Sequence, residues 1–145
     1  MIKICFVCLG NICRSPMAEF IMKEKVRQLQ LENNFQIESK ATSYEEEEND
    51  LYPPVKEILK KNHIPYTKHK AKRLEADDNL KFDKIICMDE SNIKAVSSII
   101  KDSRKISKLL ERDISDPWYT RDFQKAYDDI SEGIDQLIKE LKEER

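Results

Sequence analysis

The sequence contains no apolar run approaching the roughly 18 residues that a membrane-spanning helix requires. A helical membrane protein is therefore not expected. The opening residues, MIKICFVCL, are too short and too weakly basic for a secretory signal. Without export, the four cysteines are expected as reduced thiols and the chain in the cytoplasm. Charge of one sign is also lacking: 26 Lys and Arg against 28 Asp and Glu leave a net charge of −2, which favours neither nucleic acid nor an acidic membrane as a partner. No repeat, linker or low-complexity tract appears beyond the glutamates at 45–48. Glycine is scarce. One of the only two, Gly10, lies in the segment CLGNICRSP (residues 8–16), where chemistry-bearing side chains crowd together.

What is present suits one domain over residues 1–145, with 39% apolar and 37% charged residues. Residues 2–7 (IKICFV) are apolar and β-prone, as in a strand buried on both faces. Ser15 and Pro16 read as the cap and first residue of a helix. Ala18, Ile21, Met22, Val26 and Leu29 continue it at three- and four-residue steps. Residues 35–41 alternate as a strand, 44–50 form an acidic loop, and 53–62 form a short helix entered through proline. Residues 66–73 suggest a short strand, 84–88 a second buried strand, and 91–99 a helix capped by Ser91. A strand is expected at 105–110 and a loop at 116–119. Phe123, Tyr127, Ile130, Ile134, Leu137 and Leu141 mark a long last helix. Strands alternating with helices imply an α/β fold: a parallel sheet with helices on both faces.

The loop of residues 8–15 then lies at the carboxyl end of the first strand, where ligands bind in open α/β sheets. It also lies at a helix N-terminus, whose free N–H groups and dipole favour phosphate. Gly10 and Asn11 tolerate the left-handed backbone of an anion-binding nest. Arg14 adds a planar fork matched to two phosphate oxygens. The same surroundings stabilise a thiolate, the nucleophilic form of cysteine. Cys8 is thus expected to attack phosphorus while the loop holds the equatorial oxygens. Cys5 and Cys8 form a CxxC spacing, but three steps along a strand put them on opposite faces, so Cys5 is read as core.

At these residues the sequence resembles the low-molecular-weight protein tyrosine phosphatases. CLGNICRSP matches their phosphate-binding loop. Further matches are Ser39 with Ala41 and Thr42, His69-x-Ala71, the run 87–92 (CMDESN), Asp116-Pro117 followed by two aromatics, and Phe123, Tyr127, Ile130 and Gly133. The resemblance implies a four-stranded parallel sheet, no metal and no cofactor. It implies Cys8 as nucleophile, Arg14 as phosphoryl ligand and Asp116 as general acid. A phenolate leaving group of pKa near 10 needs such a proton donor. Leu9, Gly10, Asn11, Ile12 and Cys13 complete the phosphate loop. Ser15 donates to the thiolate, and Asn11, Ser39 and His69 brace the loop. Trp118 and Tyr119 wall the cleft, with Tyr44 opposite. Cys13 reads either as a small packing residue or, as the resemblance implies, as a thiol that traps oxidised Cys8 in a disulfide.

A phosphotyrosine protein or peptide, or a small aryl phosphate, is the substrate this implies, for a monomer or weak dimer. The rim departs from the family pattern. Ser39-Lys40-Ala41-Thr42 replaces Ser-Ala-Gly-Thr, and YEEEENDLYPP replaces a stretch with glycine and basic residues. Four glutamates there favour basic flanks over acidic ones. Arsenate reduction on the same fold requires two further cysteines on a mobile segment past mid-chain, where only Cys87 is found. Protein arginine phosphatases carry threonine in place of Ile12, whose side chain suits an aryl ring. A catalytically dead phosphate-binding module would not need Cys8, Arg14 and Asp116 together.

Overall fold

The first strand sets the architecture. In β1 (Ile2–Cys8), residues from Ile4 onward are buried, and alternate side chains enter two separate cores. Ile4, Phe6 and Cys8 face one, and Cys5 and Val7 the other, as the two-residue period requires. The computed structural model describes residues 1–144. After β1 come α1 (Arg14–Gln28), β2 (Phe35–Ala41), α2 (Pro53–Lys61), α3 (Asp78–Lys81), β3 (Lys84–Cys87), α4 (Glu90–Ser97), β4 (Ile106–Lys108), α5 (Pro117–Thr120) and α6 (Phe123–Glu143). The strands form one parallel sheet in the order β2-β1-β3-β4. Met17 and Ile21 of α1, Val55 and Leu59 of α2, and Ile130 and Ile134 of α6 pack on one face. Val96 of α4, with Leu74, Phe82 and Ile100, covers the other. The parallel α/β sheet with helices on both faces is as expected.

Several boundaries differ, each for a local reason. Helix α1 begins at Arg14, with Cys13 at the cap position and no side-chain cap, so Ser15 is not the cap. Its hydroxyl is engaged elsewhere, as described below. Helix α4 is capped by Asp89, not Ser91. The Asp89 carboxylate accepts from Asn92 N–H and the Asn92 side chain accepts from Asp89 N–H, a reciprocal capping box. Residues 66–73 form no strand, only a single bridge between Ala41 and Arg73. Their backbone is engaged by the acidic segment instead: Ala71 N–H donates to Asn49 O, and Glu48 N–H to Ala71 O. Strand β4 is shorter than expected, because residues 103–105 make a 3-10 turn capped by Asp102. The expected loop at 116–119 holds the short helix α5, capped by Asp116.

Helix α6 carries the second glycine where it crosses the sheet. A Cβ on Gly133 would lie 2.5 Å from Leu109 Cγ and within 3.1 Å of both Leu109 methyl carbons. Glycine in a helix interior costs about 1 kcal/mol relative to alanine, so close approach and not propensity explains it. Gly133→Ala is expected to destabilise the fold by about 1–3 kcal/mol through overpacking. Thermal or urea denaturation reads the effect, and a variant as stable as wild type would mean that Leu109 moves aside freely.

Candidate active site

Cys8 ends β1 beside the point where the sheet order reverses, since β2 and β3 flank β1 on opposite sides. In parallel sheets this is where a crevice opens at the carboxyl edge. The loop that follows turns at Asn11, which is fully buried with φ 57°. Gly10 was expected to share that left-handed conformation and does not; its φ is not positive. Its missing side chain makes room instead. A Cβ there would sit 3.3 Å from Glu46 Cγ, so the acidic segment rests directly on the loop.

Asn11 holds the loop through three contacts. Its Nδ2 donates to Ser15 Oγ (2.8 Å), its Oδ1 accepts from Lys72 N–H (3.2 Å), and its carbonyl accepts from His69 Nε2 (2.7 Å). A carbonyl only accepts, so His69 carries its proton on Nε2. Because Asn11 donates to Ser15 Oγ, the hydroxyl proton has two acceptors to choose between, Cys8 Sγ at 3.0 Å and the more distant Lys40 O at 3.4 Å. Ser15 N–H also approaches the sulfur, at 3.4 Å. Among the described residues, no backbone N–H from Leu9 to Arg14 is given to a protein acceptor. That is the donor set expected of an anion cradle.

The Arg14 side chain is only 3% exposed. Its Nη1 donates to Ile114 O (2.6 Å) and Asp89 Oδ2 (2.9 Å), and Nη2 lies 3.5 Å from Asp116 Oδ2. Nε meets no protein acceptor among the described residues, so the Nε–Nη2 edge of the fork remains for a ligand. Burial alone would weaken the guanidinium as a cation. The charges of Cys8, Asp116 and Asp89 outweigh it and hold Arg14 above the ordinary arginine value. Burial likewise opposes ionisation of Asp89, but Asn92 N–H and Arg14 more than compensate and lower its carboxyl. Asp116 is fixed at its other oxygen, where Oδ1 accepts from Trp118 N–H at 3.0 Å.

The structure thus joins Cys8, Ser15, Asn11 and His69 in one hydrogen-bonded set and Arg14, Asp89 and Asp116 in a second, with Arg14 and Ser15 adjacent in the chain. The other expected residues sit differently. Ser39 donates to Glu19 of α1 (2.6 Å) and makes no side-chain hydrogen bond to the loop. Ile12 is buried, and Leu9 is exposed. Tyr44 is exposed, bonded to Glu75 (3.0 Å) with the Arg73 guanidinium 4.9 Å from its ring. Trp118 packs on Tyr52, ring centroids 4.8 Å apart, and Tyr119 is exposed. Asp89 and Tyr52 join the site without any role expected from the sequence. Asp89 could have been singled out as an acid just past a strand's carboxyl end; Tyr52 carries no such signal.

The four cysteines are unpaired and buried. Burial pushes Cys87 up to about 12, with the charges of Asp89 and Cys8 adding to the effect. Cys5 and Cys13 are also raised chiefly by burial, with Asp78 the next influence on Cys5 and the Cys8 charge the next on Cys13. These three stay protonated at neutral pH. Cys8 alone has two donors at its sulfur.

The family described as low molecular weight phosphotyrosine protein phosphatase matches residues 3–145 of the chain. The low molecular weight protein-tyrosine-phosphatase PtpA of Staphylococcus epidermidis is 34% identical over 145 residues, covering 95% of this chain and 92% of its own. A low molecular weight protein tyrosine phosphatase from Streptococcus pyogenes superposes with a TM-score of 0.90 at 40% identity, over 97% of this chain and 93% of that one. YfkJ from Bacillus subtilis superposes with a TM-score of 0.97 at 33% identity, over 100% and 97%. Sequence likeness along nearly the whole length and the same fold lead to one conclusion: the chain belongs to the low-molecular-weight phosphotyrosine protein phosphatase family.

Proposed function

We propose that the protein hydrolyses phosphotyrosine in proteins or peptides, and small aryl phosphates, through a phosphocysteine on Cys8. One observation carries this reading: among the described residues the backbone N–H groups from Leu9 to Arg14 have no protein acceptor, in the loop that follows a Cys8 sulfur lying 3.0 Å from Ser15 Oγ and 3.4 Å from Ser15 N. In the first step the Cys8 thiolate attacks phosphorus and the bond from phosphorus to the tyrosyl oxygen breaks. The departing phenolate takes a proton from Asp116. The loop N–H groups and the Nε–Nη2 edge of Arg14 hold the equatorial oxygens as their charge grows. In the second step water attacks the phosphocysteine and yields its proton to the Asp116 carboxylate. The sulfur–phosphorus bond breaks, and phosphate and the thiolate are released. His69 and Asn11 position the loop, while Trp118 and Tyr52 offer an aromatic wall to the phenyl ring.

The four unpaired cysteines support a cytoplasmic setting. Burial of Cys87 in β3 weighs against an arsenate-reducing relay, which needs thiols that can move to the site.

Replacing Cys8 with serine is expected to abolish turnover of p-nitrophenyl phosphate while phosphate binding persists; residual activity above a few per cent would remove Cys8 as nucleophile. Asp116→Ala should lower kcat roughly 10²–10³-fold on phosphotyrosine. The loss should be much smaller on aryl phosphates with acidic leaving groups, and equal losses on both would make Asp116 structural. Peroxide is expected to oxidise Cys8 to a sulfenic acid, whose hydroxyl leaves as water when the Cys13 sulfur attacks the Cys8 sulfur to form a disulfide. Dithiothreitol should restore activity in wild type but poorly in Cys13→Ser. Full recovery of that variant, or no Cys8–Cys13 crosslink by mass spectrometry, would leave Cys13 a packing residue.

A further inference from the structure

Arg121 ends α5, one helical turn beyond Asp116, and has φ 63°. An L-residue with a long side chain rarely adopts this left-handed conformation, and such residues gather where surrounding contacts over-determine them, often at functional sites. Here the contacts are visible. The Arg121 guanidinium lies 5.4 Å from the ring centroids of both Tyr52 and Phe123. Its Nη1 donates to Tyr52 Oη (3.0 Å) and reaches Trp118 O (3.4 Å). Tyr52 in turn packs on Trp118, so the cation is locked to the aromatic wall of the cleft.

Among the described residues, no carboxylate lies within ion-pair distance of Arg121, although two acids are near in sequence. Asp122 accepts from Lys125 N–H as the cap of α6, and Asp116 is held by Arg14 and Trp118 N–H. The charge is felt as far as the buried Cys13 thiol, one of several weaker influences there. The acidic segment does not supply the counter-charge either. Glu46 is held by Asn49, Glu47 by Arg73 N–H and Glu48 by Lys72, which leaves only Glu45 without a side-chain partner among the described residues. Of the four glutamates only Glu48 is neutralised by a cation, Lys72; Glu46 and Glu47 are tied down by neutral donors and keep their charge, so the acidic rim and the preorganised cation at the aromatic wall stand as separate features.

We infer that Arg121 is a specificity-determining residue whose guanidinium pairs with a carboxylate side chain within two residues of the phosphotyrosine in a peptide substrate. The inference rests on the phosphatase reading above. A guanidinium fork matches a carboxylate in two parallel hydrogen bonds. Stacking on Tyr52 and Phe123 removes much of the side-chain freedom that such a pair would otherwise lose.

The test measures kcat/KM on one neutral phosphotyrosine peptide carrying a single Glu or Gln at position −2, −1, +1 or +2. At one or more positions the wild-type Glu/Gln ratio should be about three- to fivefold at low ionic strength, the size expected of a partly exposed ion pair. The ratio should fall to about 1 in Arg121→Asn, which removes the charge but tolerates the left-handed backbone. It should drop below 1 in Arg121→Glu and recover in Arg121→Lys. It should also shrink in about 0.5 M salt, as screening shortens the reach of the charge. Turnover of p-nitrophenyl phosphate normalises each variant for active enzyme. A wild-type ratio near 1 at every position, or one unchanged in Arg121→Asn, overturns the inference and leaves the phosphatase reading standing. If wild type hydrolyses neither peptides nor p-nitrophenyl phosphate, the phosphatase reading fails and takes this one with it.

Discussion

The buried guanidinium of Arg14 is the constraint on which the site depends. A charge removed from water is tolerable only when it is paired and hydrogen-bonded. Its acceptors come from separate stretches of chain: Asp89 follows β3, and Ile114 and Asp116 follow β4. They can meet at one point because all four strands run parallel and end at the same edge. The order β2-β1-β3-β4 then sets Arg14, just after β1, beside the strands that supply its acceptors. Topology and site are thus one arrangement. Loss of Asp89 would disturb the guanidinium and uncap α4 together, since one of its oxygens serves each.

A second chain of contacts reaches the loop from the opposite side. Asp50 is held down at about 2, first by Lys56 and then by the backbone N–H groups of His69 and Leu51, against the opposing effect of burial. It therefore remains ionised at any ordinary pH and fixes the backbone at His69 (3.0 Å). The His69 ring passes that restraint to the Asn11 carbonyl. The acidic run and the basic stretch that follows α2 are complementary for the same purpose: their ion pair and backbone bonds fasten the segments that press on the phosphate loop.

The sheet was legible, and the proposed nucleophile and anion-binding loop could be read, because each has a local cause. A buried strand, a loop and a helix start are adjacent in sequence, and Arg14 and Ser15 follow Cys8 at short range. Asp116 and His69 were reached through the family resemblance, since no short-range pattern ties them to Cys8. What stayed hidden depends on distant partners. Ser15 reads as a cap until Cys8 and Asn11 claim its hydroxyl. Residues 66–73 read as a strand until the acidic segment takes their backbone. Gly10 reads as a conformational glycine, whereas the reason for it, Glu46, lies 36 positions away. Arg121 gave no signal at all, because the role inferred for it lies in a charge that has no carboxylate beside it among the described residues.

The two-residue alternation of β1 ties reactivity to correct assembly. Cys8 reaches Ser15 and Arg14 only because its parity in the strand places it with Ile4 and Phe6 above the sheet, while Cys5 and Val7 lie below. A slip of one residue in pairing would send Cys8 beneath the sheet and put Val7 at the mouth of the loop. It would also turn Ile4 and Phe6 out of the larger core, so such a form would be both unstable and inert. The register that closes the core is therefore also the one that sets Cys8, the proposed nucleophile, beside Ser15, so a chain paired one residue out would lose the core and the site together.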